Sequence, residues 1–109
     1  MIVLDTNTLI YEVQNKKKVE DFIDEVIAVP SSVIKELKGL SGKNQDAKLA
    51  LEIAFRYKII EVNSRGDKGV EEAALKTNSK VVTSDSGLRK RLSEKGIITM
   101  AFGINGVRV

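Results

Sequence analysis

The sequence predicts an α/β fold: a three-layer α/β/α sandwich around a central, mostly parallel sheet of about five strands. Short apolar runs alternate with longer amphipathic ones, the pattern of repeated strand–helix units. The strand-like runs, such as Ile2-Val3-Leu4 and Val81-Val82, are apolar without alternation, as in strands covered on both faces. The chain has 109 residues, 42% of them hydrophobic, which suits one domain (1–109) with one core. It contains no repeat, low-complexity tract or interdomain linker.

Ile2-Val3-Leu4 is the first strand, and Asp5, Thr6 or Asn7 can cap a helix that runs to about Gln14. Val19, Phe22, Ile23 and Val26 follow the i, i+3, i+4, i+7 rule and predict a helix, although Val26 to Val29 fit a second strand equally well. Pro30-Ser31-Ser32 opens a helix to about Leu40, with Val33, Leu37 and Leu40 buried and with Gly39 and Ser41-Gly42 ending it. Ala47, Ala50, Leu51, Ala54 and Phe55 form a helical stripe, followed by a strand at Lys58 to Val62. Val70, Ala73, Ala74 and Thr77 mark the next helix, and Val81-Val82 the next buried strand. Leu88 and Leu92 anchor a helix closed by Gly96, and Ile97 to Met100 is the last parallel strand. Asn105-Gly106, between Ile104 and Val107, is a turn signal for a small hairpin. The apolar tail, with Phe102, Ile104, Val107 and Val109, either packs on its own core or covers a sheet edge or homodimer contact.

Composition excludes much chemistry. With no histidine and no cysteine there is no thiolate nucleophile, no imidazole acid or base and no Cys/His zinc site. Any metal must be held by oxygen ligands, which points to Mg²⁺ or Mn²⁺. No apolar run approaches the ~18 residues of a membrane span. Met1 leads directly into Ile2-Val3-Leu4 without the features of a signal peptide, so a cytoplasmic location and no membrane partner are expected. The formal charge is +3. With four of the 15 acids set aside as metal ligands, 18 bases face 11 acids, an excess of +7 suited to a polyanion.

The four acids are Asp5, Glu36, Asp67 and Asp85, each near a hand-over from strand to helix. Open parallel sheets bind ligands outside the carboxyl ends of their strands, which puts Asp5 and Asp85 at the ligand edge. Each acid also has an ordinary role available. Asp5 and Asp85 can be N-caps, Asp67 can complement a helix dipole, and Glu36 can pair with neighbouring lysines. Glu71, at i+4 from Asp67, is read as a solvent-facing glutamate.

Ile2-Val3-Leu4-Asp5-Thr6-Asn7 resembles the opening strand of PIN-domain nucleases, an apolar run followed by Asp-Thr/Ser-Asn/Ser. Val29 to Leu37 is similar to that family's second motif, in which a proline ends a strand and the next helix supplies a glutamate. Asp67, 18 residues before Asp85, and Val81-Val82-Thr83-Ser84-Asp85 match its third and fourth acids. The resemblance spans roughly Ile2 to Met100.

It implies that Asp5, Glu36, Asp67 and Asp85 are catalytic and metal-binding, that Thr6 or Asn7 orients Asp5, and that Thr83 or Ser84 lines the rim. It also implies an Mg²⁺- or Mn²⁺-dependent endoribonuclease that hydrolyses phosphodiesters through metal-activated water. Two roles compete. One is a VapC-type toxin with an antitoxin partner. The other is an rRNA-processing-like nuclease, favoured by the segment Asp85 to Leu92 and by the short stretch between the second and third acids. A catalytically silent PIN domain serving as an RNA-binding or assembly scaffold is the alternative. Arg89-Lys90-Arg91, on the helix after Asp85, is the expected RNA contact, whereas Lys16-Lys17-Lys18 reads more readily as a solvated face. The five aromatics (Tyr11, Phe22, Phe55, Tyr57 and Phe102) are too few to predict base-specific stacking. A receiver-like phosphoacceptor would need paired acids after the first strand, and a Rossmann domain a glycine-rich turn; neither is present.

Overall fold

The computed structural model describes residues 1–103 and 105–108. Among them the order is β1 (Ile2–Leu4), α1 (Thr6–Asn15), a 3₁₀ turn (Val19–Asp21), β2 (Ile27–Pro30), α2 (Ser31–Ser41), α3 (Gln45–Ala54), β3 (Lys58–Ile60), α4 (Gly66–Thr77), β4 (Lys80–Val82), α5 (Ser86–Glu94), β5 (Thr99–Gly103) and β6 (Gly106–Arg108). The strands form one mixed sheet in the order β3-β2-β1-β4-β5-β6. The first five are parallel, and β6 runs antiparallel to β5 with Phe102 opposite Val107. The expected α/β class with a mostly parallel sheet therefore holds, with six strands rather than about five.

This order contains a topological switch. The chain lays β2 and β3 on one side of β1, then returns through α4 to place β4 and β5 on the other. The helices that follow β1 and β4 leave in opposite directions, so a crevice opens at the carboxyl ends of these two strands. Sequence dictates both exits. Asp5 caps α1 by accepting a hydrogen bond from the Thr8 N–H at 2.9 Å, and Asp85 caps α5 by accepting from the Leu88 N–H at 3.0 Å. Pro30, the last residue of β2, has no N–H to extend the ladder, and the chain turns at once into α2.

The core is continuous. All of β1 is buried, and Leu9, Leu37, Val70, Leu88 and Leu92 pack on the sheet from four of the helices. Ala47, Ala50 and Ala54 give α3 a small-residue face that lets it sit close to its neighbours. Helices α2 and α4 approach most tightly at Gly69. A Cβ there would lie 2.1 Å from Ser32 Oγ and 2.8 Å from the Ser64 carbonyl oxygen.

Several sequence expectations are corrected. Residues 19–26 are not a helix: only the 3₁₀ turn Val19–Asp21 forms. Val19 is buried, but Phe22 turns outward to pack on Phe102, with ring centroids 5.8 Å apart, and Val26 is 60% exposed. The tail hairpin captures Phe22, and this contact overrides the helical spacing. Gly39 does not end α2, which runs on to Ser41, whose hydroxyl donates to the Lys38 carbonyl at 2.8 Å. Leu40 and Phe55 are exposed, and Lys38 Nζ lies 6.0 Å from the Phe55 ring at the surface.

Strand β3 ends at Ile60 instead of Val62, and the last parallel strand starts at Thr99 instead of Ile97. Gly106 begins β6 with φ +98°, and a Cβ there would meet the Phe22 ring at 2.7 Å. Phe102 is buried against Tyr11 and Phe22, so this part of the tail packs on its own core. Ile104 and Val109, also named in the tail expectation, lie outside the described residues. Among the described residues no helix is long and apolar enough to cross a membrane.

Nothing local in the sequence marks Glu12 as structural. It is 2% exposed, and its Oε2 accepts from the Val19 N–H at 3.1 Å and the Tyr57 hydroxyl at 3.4 Å. Its Oε1 has no hydrogen-bond partner among the described residues. Burial pushes its carboxyl up to about 7.

Both close approaches bear on stability. Gly69→Ala should cost about 2 kcal/mol in urea unfolding, because Ser32 and the Ser64 backbone must both give way. A stability loss below a few tenths of that would contradict the close approach. For Glu12, the folded-state value lies above the unfolded one, so stability falls as pH rises from about 4.5 to about 7. Glu12→Gln should therefore be more stable than the parent by roughly 1–3 kcal/mol at pH 8 and about equal to it at pH 4.5. A pH-independent difference would contradict the buried carboxylate.

Candidate functional site

Asp5, Glu36, Asp67 and Asp85 all line one cavity of about 40 Å³ at the β1/β4 crevice, together with Thr6, Asn7 and Val70. Four elements deliver them. Asp5 follows β1, Glu36 projects from α2, Asp67 sits in the first turn of α4, and Asp85 follows β4 as the cap of α5.

Asp5 is the buried member. Its Oδ1 accepts from the Thr8 N–H at 2.9 Å and from the Thr8 hydroxyl at 2.6 Å, and its Oδ2 accepts from the Thr83 hydroxyl. The Thr8 hydroxyl is also 3.0 Å from the Val82 carbonyl oxygen, so Thr8 and Thr83 link the ends of β1 and β4 through Asp5. A carboxylate has about four acceptor positions, and at most three are used here. Burial pushes the Asp5 carboxyl above its usual range, and nearby Asp67 adds to the rise. The bonds from Thr8 and Thr83 oppose it.

The other acids each keep one oxygen without a protein partner among the described residues. Glu36 accepts from the Thr6 hydroxyl at 2.9 Å through Oε1, so Thr6 orients Glu36. Asp85 uses Oδ1 for its cap, and Asp67 Oδ2 meets Arg91 at 3.3 Å. Asn7 lines the cavity and is exposed. Thr83 is fully buried and donates to Asp5, whereas Ser84 is exposed outside the cavity wall.

Among the described residues, no three acidic side chains are gathered closely enough to hold a metal ion between them. The donor set nevertheless fits a hard divalent cation. It consists of oxygen alone, one member is a buried carboxylate with no ion-pair partner among the described residues, and acceptor positions remain on each acid. The Asp67–Arg91 pair is about half exposed at both ends. Such a surface pair is worth only about 0–1 kcal/mol, so releasing Asp67 toward a cation costs little.

In the basic cluster expected to meet RNA, Arg91 touches Asp67, Arg89 Nε donates to Thr99 Oγ1 at 3.4 Å, and Lys90 is exposed. Glu71 is not simply solvent-facing: its Oε1 lies 3.0 Å from Lys95 Nζ. Glu72 carries no signal in the sequence. Its carboxylate accepts from the Asn63 N–H at 2.9 Å and the Ser64 N–H at 3.0 Å, which holds the group below the usual carboxylate range and fixes the loop leading into Asp67. Ser31 fixes the same loop, its Oγ accepting from the Val62 N–H at 2.9 Å.

The family described as PIN like domain matches residues 2–102 of this chain. Ribonuclease VapC9 of Archaeoglobus fulgidus is 32% identical, across 87% of this chain and 77% of that protein. Among solved structures, the PIN domain endonuclease Utp24 superposes with a TM-score of 0.82 at 21% identity, covering 99% of this chain and 89% of that one. VapBC2 from Rickettsia felis, bound to a DNA fragment from its promoter, gives 0.68 at 20% identity, covering 93% and 98%. The structural likenesses establish the fold. The family match and the sequence relative go further: this chain belongs to the PIN-like domain family.

Proposed function

We propose that the chain is an Mg²⁺- or Mn²⁺-dependent endoribonuclease whose working centre is the cavity of Asp5, Glu36, Asp67 and Asp85. The observation that carries this reading is the meeting of these four acids at one cavity beside the sheet's switch point, in a member of a nuclease family. The relative named as a ribonuclease supports RNA as substrate.

At least two of the four acids, Asp5, Glu36, Asp67 and Asp85, would hold the cation directly. A bound divalent ion would supply an activated water and neutralise the charge that builds up on the phosphate during hydrolysis. The chain's own residues do the rest. Asp5, fixed from both sides by Thr8 and Thr83, is held in position before substrate arrives. Glu36 is steered by Thr6, and one of Glu36 and Asp85, each with a free oxygen, orients the attacking water or takes its proton. Asn7 stands at the cavity wall, and Arg89, Lys90 and Arg91 offer cations on the adjacent helix for the RNA backbone.

Of the two family roles, the VapC-type toxin with an antitoxin protein as partner draws support from the 32% identical relative. The rRNA-processing-like role rests on the local resemblance of Asp85 to Leu92. A cytoplasmic location suits either.

The test is cleavage of end-labelled single-stranded RNA with Mg²⁺, with Mn²⁺ and with EDTA, comparing the parent with Asp5→Asn. Cleavage should require metal, and Asp5→Asn, still folded, should lose more than about 100-fold in rate. Binding without cleavage by the parent would replace this reading with the scaffold one. Activity should also fall in acid, because protonated carboxylates no longer bind a cation and Asp5 protonates above the usual carboxylate range. Thr83→Val removes a hydrogen bond that lowers the Asp5 value, so the acid limb of its pH–rate profile should move to higher pH. An unmoved limb would mean that Asp5 does not govern it.

A further inference from the structure

We infer that the groove between α2 and the loop of residues 62–66 binds the single-stranded stretch of RNA flanking the cleaved phosphate, with Lys35 and Arg65 as its phosphate contacts. This rests on the nucleolytic reading of the neighbouring acids and adds the substrate's path to it.

The acid cavity is too small for the substrate itself, offering about 40 Å³. A water needs ~10–15 Å³ of such space, so an ion and a water or two can enter, but a nucleotide cannot. Beside it lies a groove of about 600 Å³, inside the ~300–1,000 Å³ range typical of ligand sites. Glu36 and Gly66 belong to the walls of both, so a strand in the groove can present its next phosphate to the acids.

Charge points the same way. Glu36 is the acid on the groove wall, which it shares with Lys35 and Arg65. Neither cation has an ion-pair or hydrogen-bond partner among the described residues, and both are exposed. Arg91 is paired with Asp67 and Lys95 with Glu71, so those pairs must open before either cation can meet a phosphate. Two unpaired cations beside four carboxylates favour a polyanion that runs past the acids, since they neutralise its backbone where the acids would repel it.

The groove wall is also held by hydrogen bonds. Glu72 ties down the Asn63 and Ser64 amides and Ser31 ties down Val62, so Arg65 is carried on a fixed loop. No aromatic side chain lines the groove among the described residues, so the recognition inferred here is of the backbone, through the two cations.

The experiment measures fluorescence anisotropy of a labelled, mixed-sequence single-stranded 12-nucleotide RNA in EDTA, on the Asp5→Asn background, over a range of salt. Lys35→Ala/Arg65→Ala should weaken binding about tenfold and flatten the log–log salt slope by about 1.4, roughly 0.7 for each single-strand phosphate no longer neutralised. The control pair Lys43→Ala/Lys48→Ala removes the same charge from exposed positions off the groove wall and should change binding less than about twofold. With Asp5 intact and Mg²⁺ present, the groove pair should raise KM while leaving kcat nearly unchanged. Equal losses from both pairs, an unchanged slope, or no RNA binding by the parent would each overturn the inference. Binding needs no hydrolysis, so a chain that binds through the groove but never cuts keeps Lys35 and Arg65 as RNA contacts and loses the nucleolytic reading.

Discussion

The hydrogen bond from the Thr83 hydroxyl to Asp5 ties the two strands on either side of the sheet's switch point at the place where they diverge. Asp5 is at once the cap of α1, the acceptor for two threonines and the buried member of an acidic cavity. These duties are compatible only because a carboxylate has more acceptor positions than the protein uses. If the clamp were removed, β1 and β4 would still pair, but the acid between them would lose its fixed direction. Glu36, Asp67 and Asp85 are then arranged around it by helices whose starting points the strands dictate.

A buried carboxylate beside other acids is costly, and here it is only partly offset by hydrogen bonds, as the upward push on Asp5 shows. Folded proteins tolerate such sites where function needs them. Glu12 is the contrasting case. It too is buried and pushed up, but it lies on α1 itself, toward the C-terminal end, tied to Val19 and Tyr57. The difference lies in surroundings: Asp5 shares a small cavity with three other acids, whereas Glu12 lines a groove with one other acid, Glu52, and several basic residues.

Much of this is legible in the sequence because local and tertiary signals agree. Ile2-Val3-Leu4 and Val81-Val82 are buried strands, and Asp5 and Asp85 cap helices while also lining the cavity. Pro30 marks the turn into the helix that carries Glu36. Legibility fails where a distant contact decides. The spacing of Val19, Phe22, Ile23 and Val26 is helical, yet Phe22 is drawn to the tail hairpin and leaves only a 3₁₀ turn. Likewise, nothing local marks Glu72 as the clasp of the loop before Asp67, or Lys35 and Arg65 as unpaired cations sharing one groove. Those properties exist only once α2, α4 and the loop leading from β3 into α4 are packed together.

Whether the four acids form a metal centre can be decided by a crystal structure of the chain soaked in Mn²⁺, with anomalous data at the manganese edge. A peak is expected inside the cavity, about 2.2 Å from oxygens of at least two of Asp5, Glu36, Asp67 and Asp85, with Asp67 turned from Arg91. An empty cavity at saturating Mn²⁺, or manganese bound only elsewhere on the surface, would contradict a metal-dependent site.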